Sequence, residues 1–451
     1  MKKPTLTLVL LSLAIVLTII FTACRSNESS DIPKADISSV LDVLDDDISG
    51  ITWYNETTIT LNENIMVSGN GVAVKDSSIK IMEGGNYIIT GTLSNGSITV
   101  ATDDPVNLTL RDANITNLSG PAISIEKADV AYITLSTETS NFLVDGQNYD
   151  DPDIIGALVS KSPLYIQGKG TLTVSGANQS AINCQDALTI NNGSLYISAI
   201  NDGIQSAGTL TINGGNIDIS KLINGITTSH SLYMNDGVLS ISDTTNGSFS
   251  KGETKINGGT LNILNCTMGI ISESTMIIDD GTLNIDADHT ALLSKDALTI
   301  NDGHIHLDSD QETLSAAYSI TINDGTILVL SNDPNKAGIK YGNQFKILGG
   351  TLLATGGSII TPTKAANTQK SLLLDTITAH TLIHIQQDAS SVLSFVPAAD
   401  YPYILFSSPL LQSGFTYDIY LGGELIGGTD FYGLSLDGSY RAGTKYVSLT
   451  L

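Results

Sequence analysis

The chain has 451 residues, 46 acidic against 21 basic, and a net charge of −25. With arginine only at Arg25, Arg111 and Arg441, no basic cluster exists to neutralise phosphates, which excludes a nucleic-acid partner. A charged fraction of 15%, 42 glycines and abundant Asn, Thr, Ile and Leu point away from helical bundles and toward many short strands joined by tight turns.

In chain order, residues 1–23 come first: Lys2 and Lys3, an apolar run from Leu6 to Phe21, then Thr22-Ala23-Cys24. This is the layout of a bacterial lipoprotein signal, cut before a cysteine that takes a diacylglycerol. The expectation is a chain that begins at Cys24 and hangs by its acyl chains on the extracellular face of the cell membrane. The competing reading is an uncleaved membrane-spanning anchor, since the apolar run nearly suffices to cross a bilayer. Residues 24–50, with Asp42, Asp45, Asp46 and Asp47, read as an acidic tether.

Residues 51–390 carry strand patterns throughout. They are irregularly spaced up to about residue 160, as in Ser78-Ile-Lys-Ile81 and Val106-Asn-Leu-Thr-Leu110. Beyond that a phrase recurs: aliphatic, Asn or Asp, any residue, Gly. Ile190-Asn-Asn-Gly193, Ile212-Asn-Gly-Gly215, Met234-Asn-Asp-Gly237, Ile256-Asn-Gly-Gly259, Ile278-Asp-Asp-Gly281, Ile300-Asn-Asp-Gly303 and Ile322-Asn-Asp-Gly325 stand 22 residues apart, with looser copies at Ile166 and Ile347. A fixed period of this kind marks a solenoid, whose turns bury their apolar faces only by stacking on one another. Alternation in Leu188-Thr-Ile190 and Leu195-Tyr-Ile197 makes the segments strands, the turn glycine supplies positive φ, and a second row of small residues (Ala181, Gly203, Gly225, Gly247, Gly269, Ala291) precedes a third strand. Three strands per 22 residues predict an all-β, right-handed parallel β-helix of some fifteen coils. Cys184 and Cys266 then lie more than three coils apart, roughly 14 to 19 Å, too far for a disulfide, so both are expected as free structural thiols. Residues 391–451, with the aromatic strands Tyr401-Pro-Tyr-Ile-Leu-Phe406 and Phe415-Thr-Tyr-Asp-Ile-Tyr420, are expected to form a small antiparallel cap over the open end.

The stretch Ser78-Ile-Lys-Ile-Met-Glu-Gly-Gly-Asn-Tyr-Ile-Ile-Thr-Gly-Thr-Leu93, with Ala157-Leu-Val-Ser-Lys161, Asn201-Asp-Gly-Ile204 and Leu292-Leu-Ser-Lys-Asp-Ala-Leu-Thr-Ile-Asn-Asp-Gly303, resembles a family of calcium-binding, β-helical carbohydrate-binding proteins of clostridial-type bacteria. The resemblance runs from about residue 53 to the C-terminus. It implies a fold like that of polysaccharide lyases, export, calcium, and binding of cellulosic or pectic polymers without established catalysis. One departure concerns the acid before the third strand, on which the resemblance implies calcium sites: Asp202 keeps it and is expected as a calcium ligand, whereas the following coils read Asn224, Asn246, Met268 and Thr290.

Reading the coils as stacked rows brings together Asp286, Asp288, Asp308 and Asp310, two Asp-x-Asp pairs one coil apart. Four such carboxylates repel unless a hard cation neutralises them, so calcium is weighed against a solvated acidic stripe. A second acidic group, Asp145, Asp150, Asp151 and Asp153, lies in the longest connection between strands, where the resemblance also places calcium. The row Asp280, Asp302 and Asp324 reads as turn structure. The histidines (His230, His289, His304, His306, His380 and His384) lack zinc spacing and are expected on the surface. Tyr165 and Tyr233 are expected in one outward row three coils apart, with Tyr196 on a neighbouring strand, as a sparse platform for sugar rings.

The function expected is calcium-assisted, non-catalytic binding of polysaccharide. A lyase would need a strong base beside calcium, yet the regular coils contain no arginine, and Lys161 and Lys295 occupy matching repeat positions. The alternatives left standing are a calcium-dependent polysaccharide lyase and a passive stalk or adhesin.

Overall fold

The computed structural model describes residues 53, 55–147, 149, 155–358, 360–364 and 368–451. The expected signal with Cys24, the tether, and Asp150, Asp151 and Asp153 lie outside the described residues. Among the described residues no helix is long and apolar enough to cross a membrane.

Strands recur in parallel register. Leu188, Leu210, Leu232, Thr254, Met276, Leu298 and Ile320 form one column on the first face of the rod, each 22 residues beyond the last. The second face is built by segments such as Thr171–Gly176, Ser194–Ala199 and Thr326–Ser331, and the third by Ile182–Cys184, Asp202–Ser206 and Leu314–Ala316. The result is a parallel β-helix of about 12 coils. Fewer coils form than the period suggested, for two reasons. The early coils are long: Ala131 stacks on Leu164, with the acidic loop between them. Parallel stacking also ends early, at Thr351–Gly356, which already pairs antiparallel with Tyr401–Ser407. Antiparallel structure therefore begins at Ser371–Ile377, ahead of the boundary at residue 390 expected from sequence.

Three columns of polar or small residues explain the recurring phrase. The asparagine of each copy donates its amide to the one a coil earlier, from Asn213 to Asn191 at 2.8 Å, Asn235 to Asn213 at 2.6 Å and Asn257 to Asn235 at 2.6 Å. The ladder resumes with Asn301 on Asp279 and Asn323 on Asn301, both at 2.6 Å. The turn glycines all carry positive φ, for example +93° at Gly237, where an added Cβ would lie 2.7 Å from the carbonyl oxygen of Gly215. Inside the third corner runs a column of hydroxyls: Ser206, Ser250, Ser272 and Ser294 donate to turn carbonyls. Cys184 stands in that column between Ser160 and Ser206 and takes the serine's part weakly, its Sγ 3.4 Å from the Ala187 carbonyl. Both Cys184 and Cys266 are free and buried.

The C-terminal region forms a five-stranded antiparallel sheet in the order Leu434–Ser435, Ser390–Phe395, Ile383–Gln387, Thr416–Ile426, Ser439–Thr450. It covers the second face of the last coils through a separate core in which Leu328, Leu330 and Leu353 meet Phe395, Tyr401 and Phe406. At the opposite end Met66–Ser68 and Val72–Lys75 pair antiparallel with the first strands and close it, a feature the sequence did not disclose.

Replacing Gly237 with alanine sets a side chain against the neighbouring turn at a φ that L-residues rarely adopt, and should cost about 2 kcal/mol or more. Asp236→Asn next to it keeps an acceptor for the Gly237 N–H and should change stability by less than about 0.5 kcal/mol. Thermal unfolding followed by circular dichroism checks both; equal losses would refute the stacked-turn account.

Candidate functional site

The first face carries an outward column that runs Asn107, Tyr132, Tyr165, Thr189, Thr211, Tyr233, Lys255. Tyr165 and Tyr233 thus share one row three coils apart. Tyr132 was missed, because the long step between Ala131 and Leu164 breaks the period; the matching alternation of Ala131–Leu135 and Leu164–Gly168 was the available signal. Its ring stacks on Tyr165, centroids 5.1 Å apart and planes at 23°, and Trp53 packs edge-on against Tyr132 at 5.9 Å. Since Tyr132 backs Tyr165 from one coil below, the other face of the Tyr165 ring looks along the rod over Thr189 and Thr211. Tyr233 closes this shelf about 14 Å away, three strand spacings on. Behind Tyr233, Lys255 is tied to Asp279 at 2.9 Å. The asparagine ladder flanks the shelf, and on the strand of Tyr165 the Gln167 Oε1 is buried without a hydrogen-bond partner. Tyr196 lies on the second face, exposed, in a row with Thr173 and Asp218.

The acidic rows also meet. Lys221, Asp243 and Asn265 form a left-handed bend in three successive coils. Between that last coil and the next the register shifts after Ile263, and beyond it the regular 22-residue spacing sets Asp286 directly opposite Asp308. Burial first, then the charge of Asp286, pushes the Asp308 carboxyl up to about 6. Asp286 is raised by burial and by Asp288 and Asp310. Asn332 donates to Asp308 at 2.9 Å and to Asp310 at 3.4 Å, and Tyr401 of the cap reaches Asn332 at 3.4 Å. Among the described residues no group of three or more His, Cys, Asp or Glu side chains is placed to hold a metal ion.

The other expected acids serve the fold where they are described. Asp145 is buried and accepts from the Tyr149 hydroxyl at 2.5 Å and from the Ala177 N–H, which pins the long loop. Burial raises its pKa and those bonds oppose the rise. Asp202 heads a second ladder, accepting from Asn224 at 2.6 Å, while Asn224 accepts from Asn246 at 2.7 Å. Asp280, Asp302 and Asp324 each accept the N–H of the glycine that follows, the turn role expected of them.

Two histidines expected on the surface are buried. His306 lies flat against Tyr432, centroids 3.6 Å apart and planes at 2°, and hydrogen-bonds Asn284 at 2.8 Å; burial pushes its pKa down to about 4. His384 stacks on Tyr440 inside the cap. Both are covered by the cap, which the repeat arithmetic does not include. Where its loop Thr429–Asp437 overhangs the second face, it encloses a cleft of about 540 Å³ over Thr282, His304 and Thr326.

The fold and its surfaces define a parallel β-helix, capped at both ends, with aromatic and carboxylate rows exposed on its faces. Residues 75–263 and 236–398 match the family of carbohydrate-binding domain-containing proteins, and the chain belongs to that family. A carbohydrate-binding domain-containing protein of Acetivibrio thermocellus is 28% identical over 137 residues, covering 29% of this chain and 48% of the relative. The chain therefore spans about half the length of the curated relative it matches. A solved polysaccharide lyase-like protein from C. thermocellum, as its gadolinium derivative, aligns with 65% of this chain and 96% of its own at 21% identity and a TM-score of 0.38.

The cap edge generates a pH signature. Asp308, with its folded pKa raised to about 6, adds stability below its unfolded value near 3.9 that is lost as pH rises through 6. His306, with its folded pKa lowered to about 4, does the reverse: its contribution is complete above about 6.5 and lost as pH falls toward 4. Asp308→Asn should therefore stabilise the chain at pH 7, on the order of 1–2 kcal/mol after solvent screening, and add nothing at pH 4. Thermal melts of both proteins across that range test this, and destabilisation at pH 7 would refute the charge-repulsion account.

Proposed function

We propose that the protein is a lipid-anchored surface module that binds cellulosic or pectic polysaccharide without cleaving it. The observation that carries this reading is the free face of Tyr165, held by the stack on Tyr132 and opening onto a threonine-floored shelf. Sugar rings present apolar C–H faces and hydroxyl edges. An aromatic face fixed in orientation takes the first at little entropic cost, and threonine and asparagine take the second. Tyr233 bounds the same shelf, and Tyr196 offers a further contact on the neighbouring face.

Calcium is the second part of the proposal, with charge as its support. Burial raises the pKa of both Asp286 and Asp308, and neighbouring acids add to it, Asp288 and Asp310 for the first and Asp286 and Asp310 for the second, a repulsion that a shared cation relieves. Without a formed ligand set, calcium is assigned charge relief at these four carboxylates and no contact with sugar. The anchor is Cys24, which places the rod on the outer face of the membrane.

Retention of the full chain, in detergent, on insoluble cellulose and pectic acid tests this reading. Tyr165→Ala should weaken retention about tenfold, the worth of one aromatic stacking contact. No retention of the unsubstituted protein, or release of unsaturated product, would sink it. Calcium should raise the melting temperature of the parent chain but not of Asp308→Asn; indifference of both to chelator removes calcium and leaves the sugar reading intact. Separately, Cys24→Ala should abolish incorporation of labelled fatty acid into the protein, and undiminished incorporation, or none in the parent chain, would refute the lipid anchor.

A further inference from the structure

We propose that the cleft beneath the cap loop is a separate subsite for a neutral sugar that carries a small apolar ester, either an O-acetyl group or a methyl-esterified carboxyl. This rests on the carbohydrate-binding reading and names a ligand class for a second place on the molecule.

The cleft, at about 540 Å³, is the size of a small-molecule pocket rather than a packing defect. Its floor is one outward column of the second face, Thr282, His304 and Thr326, in strand register over three coils. Its wall is Phe431, Leu434 and Leu436, so the two sides differ in chemistry: hydroxyls and an imidazole below, hydrocarbon above. The loop is built rather than slack. Tyr432 is stacked on buried His306, Asp430 accepts the Gly433 N–H at 2.9 Å, and Asp437 accepts the Thr429 N–H at 2.6 Å. The Phe431 and Leu434 backbones pair with each other at 2.8 and 3.0 Å. The wall is therefore held open over the floor before any ligand arrives, which spares a ligand the cost of ordering it.

Charge and polarity select among sugars. Asp430 and Asp437 at the rim, on a chain of net charge −25, repel a free uronate. A bare neutral sugar turns hydroxyls in every equatorial direction, and those facing Phe431, Leu434 and Leu436 find no partner, which is costly once water is excluded. An ester solves both problems: it caps a hydroxyl or neutralises a carboxylate, and its methyl group fills the hydrocarbon side while the remaining hydroxyls meet Thr282, His304 and Thr326.

The experiment is calorimetric titration of the full chain in detergent with two matched pairs: xylo-oligosaccharides with and without O-acetyl groups, and oligogalacturonides with and without methyl esters. The expected result is about fivefold to tenfold tighter binding of an esterified member than of its bare partner, the worth of burying one methyl group and removing an unpaired polar group. A preference confined to one pair identifies which ester is the ligand. Phe431→Ala should abolish the preference, and so should Leu436→Asp, a change at an already exposed side chain that leaves the fold undisturbed. Tyr165→Ala, on another face, should leave it unchanged. Equal affinity within both pairs, or a preference that survives both cleft variants, overturns the subsite while Tyr165-dependent retention keeps the general reading. Absence of binding to any saccharide overturns both.

Discussion

The structure depends on one constraint: each coil must offer the next the same atoms at the same place, one strand spacing along the axis. Leucine and isoleucine satisfy it inside by stacking like on like, with Leu188, Leu210, Ile212 and Leu298 all buried. At the corners the backbone is forced into turns whose polar groups would otherwise be orphaned, and there the repetition becomes chemical. An asparagine amide can donate to the coil before it and accept from the coil after it at once, so Asn191, Asn213, Asn235 and Asn257 form a ladder that no aspartate row could form. Where Asp279 interrupts it, an outside cation, Lys255, makes up the difference. The same stacking forbids a Cβ at the turn glycines, since the space it would fill holds the carbonyl of the preceding turn.

Repetition is also why so much was legible from sequence. A period of 22 states that residues one period apart touch, and it placed Tyr165 with Tyr233, Asp286 with Asp308, and Cys184 far from Cys266, each as the register has it. What it could not state is anything that breaks the period. Tyr132 lies one coil from Tyr165 but 33 residues away in sequence, so the stack that orients the tyrosine shelf was invisible. The register shift after Ile263, where Cys266 pairs with Ala287, follows from no consensus phrase. The cap was read as present from its aromatic strands, but the ground it covers was not, and His306 therefore looked like a surface residue although Tyr432 lies flat upon it.

The acids illustrate a second limit. Linear arithmetic brings carboxylates together without saying what else arrives. Asp145 accepts from Tyr149 and from the Ala177 N–H, and one oxygen of Asp202 accepts from Asn224, donors of the chain itself that the arithmetic does not contain. The Asp286 and Asp308 pair remains frustrated, because Asn332 supplies a single amide where Asp308, Asp310 and the nearby Asp286 compete. Frustration of this kind survives only if the surrounding fold holds it. Here the cap does so, since Tyr401 and Asn332 belong to the interface that buries Leu328 and Leu330.

A rigid rod with modest sites on separate faces suits a polymer better than a small solute. One tyrosine face retains a soluble sugar poorly, yet on an insoluble chain a second contact at fixed spacing becomes intramolecular and multiplies retention without any new chemistry. That gain requires the spacing not to fluctuate, and here it is set by covalent coils and continuous ladders rather than by a linker. The acidic surface works in the same direction: it weakens indiscriminate attraction to polyanions, which on the proposed reading would leave retention to sites where an apolar face and a hydroxyl-lined floor meet a neutral ring. Selectivity in such a molecule arises less from any one strong contact than from a stiff scaffold that presents weak ones in register.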